Sequence, residues 1–148
     1  MKRYVLDSNL FIAAARDREE ADDLRAFSSW RLPHLYLHAV VVQEILAGAI
    51  TTEWRKEVER SILAPYEKRG RLVTPSYRAW KRSGEVLAEL LRTKKLSRRG
   101  VDRSFLNDLL IATSCKEAGF TVITSNTKDF KLISEVERVS FVEPWPRV

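Results

Sequence analysis

An apolar run stops at a carboxylate in the stretch Lys2-Arg3-Tyr4-Val5-Leu6-Asp7-Ser8-Asn9. The aliphatic and aromatic residues before Asp7 predict a short buried strand over 2–6. An acid placed directly after buried apolar residues is unfavourable unless it is paired or binds a metal ion. The stretch therefore predicts both a sheet and a functional acid at the end of its first strand.

Strand and helix patterns alternate along the rest of the chain. Further strands are predicted over 35–37, 71–74, 120–124 and 138–142, and helices over 10–16, 18–30, 40–49, 52–66, 77–93 and 102–118. Such alternation implies parallel strands with helices on both faces of the sheet. We therefore predict an α/β fold with a central, mostly parallel sheet of about five short strands.

Length and composition limit the class of protein. With 148 residues, 45% of them apolar, the chain is predicted to form a single domain over residues 1–148. No apolar run approaches the roughly 20 residues of a membrane helix, and the N-terminus reaches an acid too early for a signal peptide. The single cysteine, Cys115, excludes an intrachain disulfide and is interpreted as a core residue. We expect a cytoplasmic protein with no membrane partner.

The chain is basic, with a net charge of +6 and a pI of about 9.7. A basic protein favours polyanionic partners, nucleic acid above all. The alternative is a well-solvated surface with an excess of arginine.

Three further acids lie among aliphatic residues as Asp7 does, namely Glu44, Asp108 and Asp129. Carboxylates in a rigid cluster repel one another and all stay ionised only when a cation lies between them. Parallel sheets place their sites at the carboxyl ends of the strands, where Asp7 and the end of strand 120–124 both lie. The acids therefore predict one cation site at this edge.

Oxygen ligands select hard ions, so the expected cofactor is Mg²⁺ or Mn²⁺, as one or two ions. No Cys/His spacing supports zinc, and His34 and His38 are interpreted as ordinary polar residues. Mg²⁺ serves phosphoryl chemistry by binding the scissile phosphate and lowering the pKa of an attacking water. A shallow acidic site on a basic protein fits a nuclease.

Four motifs together resemble those of the PIN-domain ribonucleases, most closely the VapC-type toxins of toxin–antitoxin pairs. They are Leu6-Asp7-Ser8-Asn9, Gln43-Glu44-Ile45-Leu46, Asn107-Asp108-Leu109-Leu110-Ile111-Ala112 and Thr124-Ser125-Asn126-Thr127-Lys128-Asp129-Phe130. The resemblance covers essentially the whole chain. It implies a PIN-like three-layer α/β/α sandwich and a Mg²⁺- or Mn²⁺-dependent endoribonuclease. It also implies a homodimer held inactive by a small antitoxin.

The resemblance also implies roles for individual residues. Asp7, Glu44 and Asp108 would be catalytic acids that bind the metal, and Asp129 would be the fourth, either directly or through water. Ser8, Thr124 and Asn126 would support the site, with Asn126 orienting a water or an acid. Many relatives carry an aspartate near the position of Asn126, so whether a second metal ion binds in this chain stays open.

Each of these residues also has a simpler interpretation. Asp7 could cap the following helix, and Asp129 could be an acid favoured at a helix start. Glu44 could be a solvated helix residue, and Asp108 a single polar residue in an apolar helix. Asn126 could be a plain N-cap.

A basic stretch over 92–103 leads into the helix of Asp108 and is predicted to form a mobile loop at the mouth of the site. Its cations could hold RNA phosphates, with tRNA or rRNA as possible substrates; they are Lys94, Lys95, Arg98, Arg99 and Arg103. The alternative is a solvated loop.

The aromatic residues Trp30, Trp54, Tyr77 and Trp80 are predicted to lie in the core or at a dimer interface rather than to stack on bases. By family analogy, the helical region 52–91 is expected to hold the dimer contact or the antitoxin groove.

Other functions remain open beside the toxin. The chain could be a PIN nuclease of RNA processing or decay, or a catalytically silent module that binds RNA or a protein partner. A haloacid-type phosphatase fits poorly, because it needs a second acid at the position of Asn9.

Overall fold

The computed structural model describes residues 2–147 and contains a five-stranded sheet. The strands are β1 (Arg3–Leu6), β2 (Leu35–His38), β3 (Leu72–Val73), β4 (Phe120–Ile123) and β5 (Phe141–Val142). They lie in the order β3-β2-β1-β4-β5, and each pairing among them is parallel. The predicted α/β fold with a mostly parallel sheet of about five short strands is confirmed.

Helices connect and flank these strands. The α-helices within residues 2–147 are α1 (Ser8–Arg16), α2 (Arg18–Arg31), α3 (Ala39–Gly48), α4 (Thr52–Val58), α5 (Ala64–Lys68), α6 (Tyr77–Arg92), α7 (Arg103–Ala118) and α8 (Thr127–Ser134). Helix α7 ends at Gly119, whose φ of 77° is the left-handed conformation that glycine adopts without strain. In this described region, no helix has both the length and the apolar character needed to cross a bilayer.

Most predicted elements lie within two residues of their observed bounds, and two depart further. The helix predicted over 52–66 contains a π-helical segment, Glu59–Leu63, between α4 and α5. Pro65 lacks an amide hydrogen for the carbonyl of Ser61, which prevents a regular helical ladder at this point. The strand predicted over 138–142 pairs only at Phe141–Val142, because β5 is an edge strand with a single neighbour.

The four aromatics that were predicted to lie in the core or at a dimer interface do not lie in the core of this chain, and their place at a dimer interface stays a prediction. Trp30 is 82% exposed, Tyr77 80%, Trp80 58% and Trp54 37%. Helical periodicity identifies which residues share a face, but it does not show that another element covers that face. The interpretation of Cys115 as a core residue is confirmed, since its side chain is fully buried.

His38 is a buried structural residue rather than an ordinary polar one. Its Nδ1 accepts the backbone N–H of Val40 at 3.1 Å, which caps α3, and its Nε2 lies 2.8 Å from the hydroxyl of Ser114 on α7. Burial lowers the pKa of His38 to about 4, so the ring is neutral at physiological pH. The side chain therefore joins the start of α3 to the middle of α7.

Candidate metal centre

The candidate site lies at the carboxyl edge of the sheet, where β1 and β4 end side by side. Leu6 and Ile123 are in register in these parallel strands, so the residues that follow them also meet. The Thr124 hydroxyl donates to Oδ2 of Asp7 at 2.7 Å. The sheet therefore brings together two residues that are 117 positions apart in the chain.

Asp7 is 2% exposed and has two functions in this geometry. Its Oδ1 accepts the Ser8 N–H at 2.8 Å as the N-cap of α1, which agrees with its simpler interpretation. Its other oxygen faces the site. Burial raises the pKa of Asp7, while hydrogen bonds from Thr124 and Ser8 oppose the rise and the charge of Asp129 adds to it.

Asn126 connects two of the predicted acids. Its Nδ2 donates to Oδ2 of Asp108 at 2.8 Å and to Oδ2 of Asp129 at 2.9 Å. Its backbone N–H donates to the Thr124 hydroxyl at 2.9 Å. Although Asn126 directly precedes α8, its side chain makes no capping hydrogen bond. The plain N-cap interpretation of this side chain is therefore wrong.

The environment of Asp108 is strongly anionic. The residue is 3% exposed, and burial raises its pKa to about 9, with contributions from the charges of Asp7, Asp129 and Glu44. Within residues 2–147, no lysine or arginine forms an ion pair with any of these four acids. Asp108 therefore keeps its proton at neutral pH unless a cation compensates for its neighbours.

Glu44 projects from α3, partly buried beside the other acids. Burial raises its pKa, and the charge of Asp7 adds to the rise, while Ser8 and Asn107 oppose it. Its Oε1 is buried without a hydrogen-bond partner among the described residues. A buried carboxylate oxygen without a hydrogen-bond partner is rare in proteins, and this oxygen could instead bind a metal ion.

The donor set fits a hard divalent cation in its chemistry. All four acids offer oxygen, they repel one another, and Oε1 of Glu44 has no partner. In the part of the chain that the structure describes, however, no three acid, histidine or cysteine side chains already converge as a complete ligand set. A cation would have to draw the acids together, which suits Mg²⁺ because it keeps several waters and needs few protein ligands.

Two asparagines of the site were missed by the sequence analysis. Asn9 donates to Oδ2 of Asp7 at 3.3 Å and to the Thr124 hydroxyl at 3.2 Å, and its Oδ1 accepts the Ser125 N–H at 3.4 Å. Asn107 lies beside Asp108 on α7 and is 8% exposed. Both asparagines lie in the motifs of Asp7 and Asp108, and this position was the one sequence feature that could have identified them. The residue type alone does not show which side chain an asparagine bonds.

The basic stretch is exposed and partly anchored. Lys94 and Lys95 lie in the turn after α6, where Nζ of Lys95 is 3.3 Å from Oε2 of Glu135. The half-buried Leu96 packs against the core. The arginines that follow are all exposed: Arg98 and Arg99 in a short 3₁₀ turn, and Arg103 at the start of α7.

Comparisons with known proteins agree with this geometry. A family model described as PIN domain matches residues 4–136. Among solved structures, the chain is similar to FitAB bound to an IR36 DNA fragment, with a TM-score of 0.71 and 21% identity over 98% of this chain and 97% of that chain. It is similar to DNA-bound VapBC from Salmonella typhimurium, with a TM-score of 0.71 and 18% identity over 97% and 98%.

A third structure, VapBC2 from Rickettsia felis bound to a DNA fragment from the promoter, has a TM-score of 0.64 and 21% identity over 97% and 98%. No curated protein sequence matches the chain. At these identities, the likeness to solved structures concerns the fold.

Proposed function

The chain belongs to the PIN-domain family, and from this membership we propose that it is a divalent-metal-dependent endoribonuclease, the toxin of a toxin–antitoxin pair. The observation that carries the proposal is the set of four mutually repelling acids at the carboxyl edge of the sheet, with no basic side chain paired to them among residues 2–147. Such a set is stable in its ionised form only around a cation. The net charge of +6 favours a polyanionic substrate.

In the proposed mechanism, Asp7, Glu44 and Asp108 are the residues that would hold Mg²⁺ or Mn²⁺. When bound there, such an ion would neutralise charge at the scissile phosphate and lower the pKa of an attacking water. Thr124 and Asn9 orient Asp7 through hydrogen bonds to Oδ2. These residues place the ligands, and hydrolysis leaves a 5′-phosphate and a 3′-hydroxyl.

Asp129 and Asn126 complete the proposed site. The Asn126 amide uses one oxygen of Asp108 and one of Asp129, which leaves the Oδ1 atom of each carboxylate for the ion or for water. Asp129 is then placed to accept a proton from the attacking water, directly or through a second water.

The experiment that tests this function is cleavage of total RNA by the purified chain with Mg²⁺, with Mn²⁺ and with EDTA, beside single-stranded DNA of similar length. Metal-dependent cutting of RNA at defined positions supports the proposal, and the cut sites identify the substrate among tRNA, rRNA and other RNA. Intact RNA in the presence of metal-loaded, folded protein would favour a module that binds RNA or protein without cutting.

We place the antitoxin in an apolar groove of 360 Å³ between α1, α2 and the α4 region, lined in part by Phe11, Leu24, Trp54 and Ile62. A neighbouring cavity of 330 Å³ shares Phe11 and Trp54 with the groove and reaches Glu44. An amphipathic segment seated there would cover the approach to an acid of the site. A small reading frame beside the gene, with a product that co-purifies with the chain, would support the toxin assignment over an RNA-processing nuclease.

The exposed face of α6 is the proposed homodimer interface. Tyr77 and Trp80 lie three residues apart on this helix and expose large aromatic surfaces. We expect Trp80→Glu to convert the dimer into a monomer, measured by light scattering, because a buried unpaired carboxylate opposes association. The matched change Trp30→Glu, at an exposed tryptophan on α2, should leave the dimer intact. A monomeric wild type would contradict the assignment.

The exposed arginines of the basic stretch are proposed to bind RNA phosphates. The double change Arg98→Ala with Arg99→Ala should weaken RNA binding and reduce its salt dependence, by about 0.7 in log–log slope for each lost phosphate contact. The control replaces two exposed arginines outside the stretch, Arg25 and Arg60, in the same way. An unchanged slope in the Arg98/Arg99 variant would show that the stretch is only a solvated loop.

A further inference from the structure

Helices α3 and α7 meet at two polar points. The first is the hydrogen-bond contact between Nε2 of His38 and the Ser114 hydroxyl, at 2.8 Å. At the second, Glu44, six residues after His38, lies near Asn107, seven residues before Ser114. At a rise of about 1.5 Å per residue, these intervals span about 9 and about 10 Å along the two helices. The helices therefore run antiparallel here, and the contact between His38 and Ser114 fixes the register that brings Glu44 near Asn107.

Glu44 and Asn107 each carry a buried polar atom without a partner. Both Oε1 of Glu44 and Nδ2 of Asn107 are inaccessible to solvent and make no hydrogen bond with any described residue. The third such atom in residues 2–147 is the hydroxyl of Ser134, at the end of α8. Buried groups of this kind are few in native proteins, and each has a structural or functional reason.

The two unpartnered atoms are chemically complementary. Oε1 of a carboxylate only accepts hydrogen bonds, and an amide NH₂ only donates them. The side chains are also neighbours: burial raises the pKa of Glu44, and the Asn107 amide is among the groups that oppose the rise.

We propose that Asn107 is a positioning residue that donates to Oε1 of Glu44 and thereby directs the other carboxylate oxygen toward the metal ion. The inference rests on the proposed function, because it assigns Glu44 as a ligand. An amide suits this position because it orients the carboxylate without adding a positive charge. A lysine there would pair with Glu44 and compete with the cation.

The test is Asn107→Leu, with Mn²⁺ affinity measured by isothermal titration calorimetry and stability measured by urea unfolding of the metal-free protein. Leucine has the same branched shape as asparagine but cannot donate a hydrogen bond to Glu44, and the urea measurement checks that the metal-free fold is retained. Mn²⁺ affinity should fall by about 10- to 100-fold, the usual effect of losing a group that orients a ligand. Ser134→Ala, which removes the other unpartnered group, should leave Mn²⁺ affinity unchanged.

Full Mn²⁺ affinity in a folded Asn107→Leu protein would overturn the inference. If the wild type binds no Mn²⁺ and cuts no RNA, the proposed function fails, and this outcome is separate from the test of Asn107. In that case, or if the Asn107→Leu variant does not fold, a second measurement tests the contact between Asn107 and Glu44. In the metal-free protein, Glu44→Ala should shift the side-chain amide resonances of Asn107 in a ¹H–¹⁵N spectrum. Unchanged resonances would show that the two side chains do not interact.

Discussion

Replacing Asp7 with asparagine is expected to lower RNA cleavage by on the order of 10³-fold while the chain remains folded. A metal ion contributes several kcal/mol to stabilising the transition state, and each 1.4 kcal/mol corresponds to about tenfold in rate. The amide oxygen of asparagine can still accept the Ser8 N–H and cap α1. Its NH₂ group would point at the Thr124 hydroxyl and the Asn9 amide, where a carboxylate oxygen now accepts. The site thus loses a ligand and a charge but keeps its helix start.

The measurement is kcat/KM for a defined RNA substrate with Mn²⁺, with circular dichroism as the check on folding. Asp17→Asn is the matched control, because Asp17 is likewise the N-cap of its helix, α2, where its side chain accepts the Glu19 N–H, but Asp17 is exposed. Equal losses in both variants would assign the effect to helix capping. Full activity in Asp7→Asn would remove Asp7 from the proposed ligands.

The metal-free protein is expected to become less stable as the pH rises from about 7 to about 9, at up to about 1.4 kcal/mol per pH unit from Asp108. The pKa of Asp108 is raised from its ordinary value of 3.8 to about 9 in the folded chain, so the folded state binds one more proton than the unfolded state between these values. The contribution of Asp108 to stability is complete below the pKa of Asp108 in the unfolded chain. It is lost as the pH rises toward the pKa of Asp108 in the folded chain. The expected total loss across this window is about 2 kcal/mol.

This pH window avoids the opposing contribution of His38. Its folded pKa of about 4 lies below its ordinary value of 6.5, so its contribution rises with pH and is complete above the ordinary value. Above about pH 7, a loss of stability therefore reports mainly the buried acids. As the pH approaches 9, the Cys115 thiol adds a smaller loss, because burial raises its pKa in the folded chain.

Urea unfolding in EDTA at the two pH values measures the effect. Asp108→Asn should flatten the pH dependence and should stabilise the metal-free protein by about 2 to 4 kcal/mol near neutral pH. Mn²⁺ should flatten the dependence in the wild type, because a bound cation keeps the acids ionised. Asp102→Asn, at the exposed N-cap of α7, is the control and should keep the wild-type slope. The same slope in the Asp108→Asn protein would contradict the assignment.

The strand that ends at Asp7 shows why part of the fold was predictable. Its apolar run, and the β-branched run of β4, are local patterns that require burial on both faces, so the parallel sheet followed from them. The π-helical segment before Pro65 and the two-residue β5 were not predictable in the same way. They depend on a local helical distortion and on the number of neighbouring strands rather than on periodicity.

The site was predictable as a set of residue types and not as an arrangement. Asp7, Asp108, Asp129, Thr124 and Asn126 meet in one hydrogen-bonded network, as expected of the motifs, while their roles in metal binding stay predictions. Sequence reasoning overlooked Asn9 and Asn107, because an asparagine in a motif looks the same whether it holds an acid or faces solvent.

By itself the sequence determined the class of fold, the acids at the strand ends and the basic charge, because these depend on the order of residue types along short stretches. Tertiary structure alone decided that His38 is buried, that Trp30 is exposed and that the pKa of Asp108 rises to about 9. Those properties depend on solvent access and on distances between charges. Both are set by packing among elements that lie far apart in the chain.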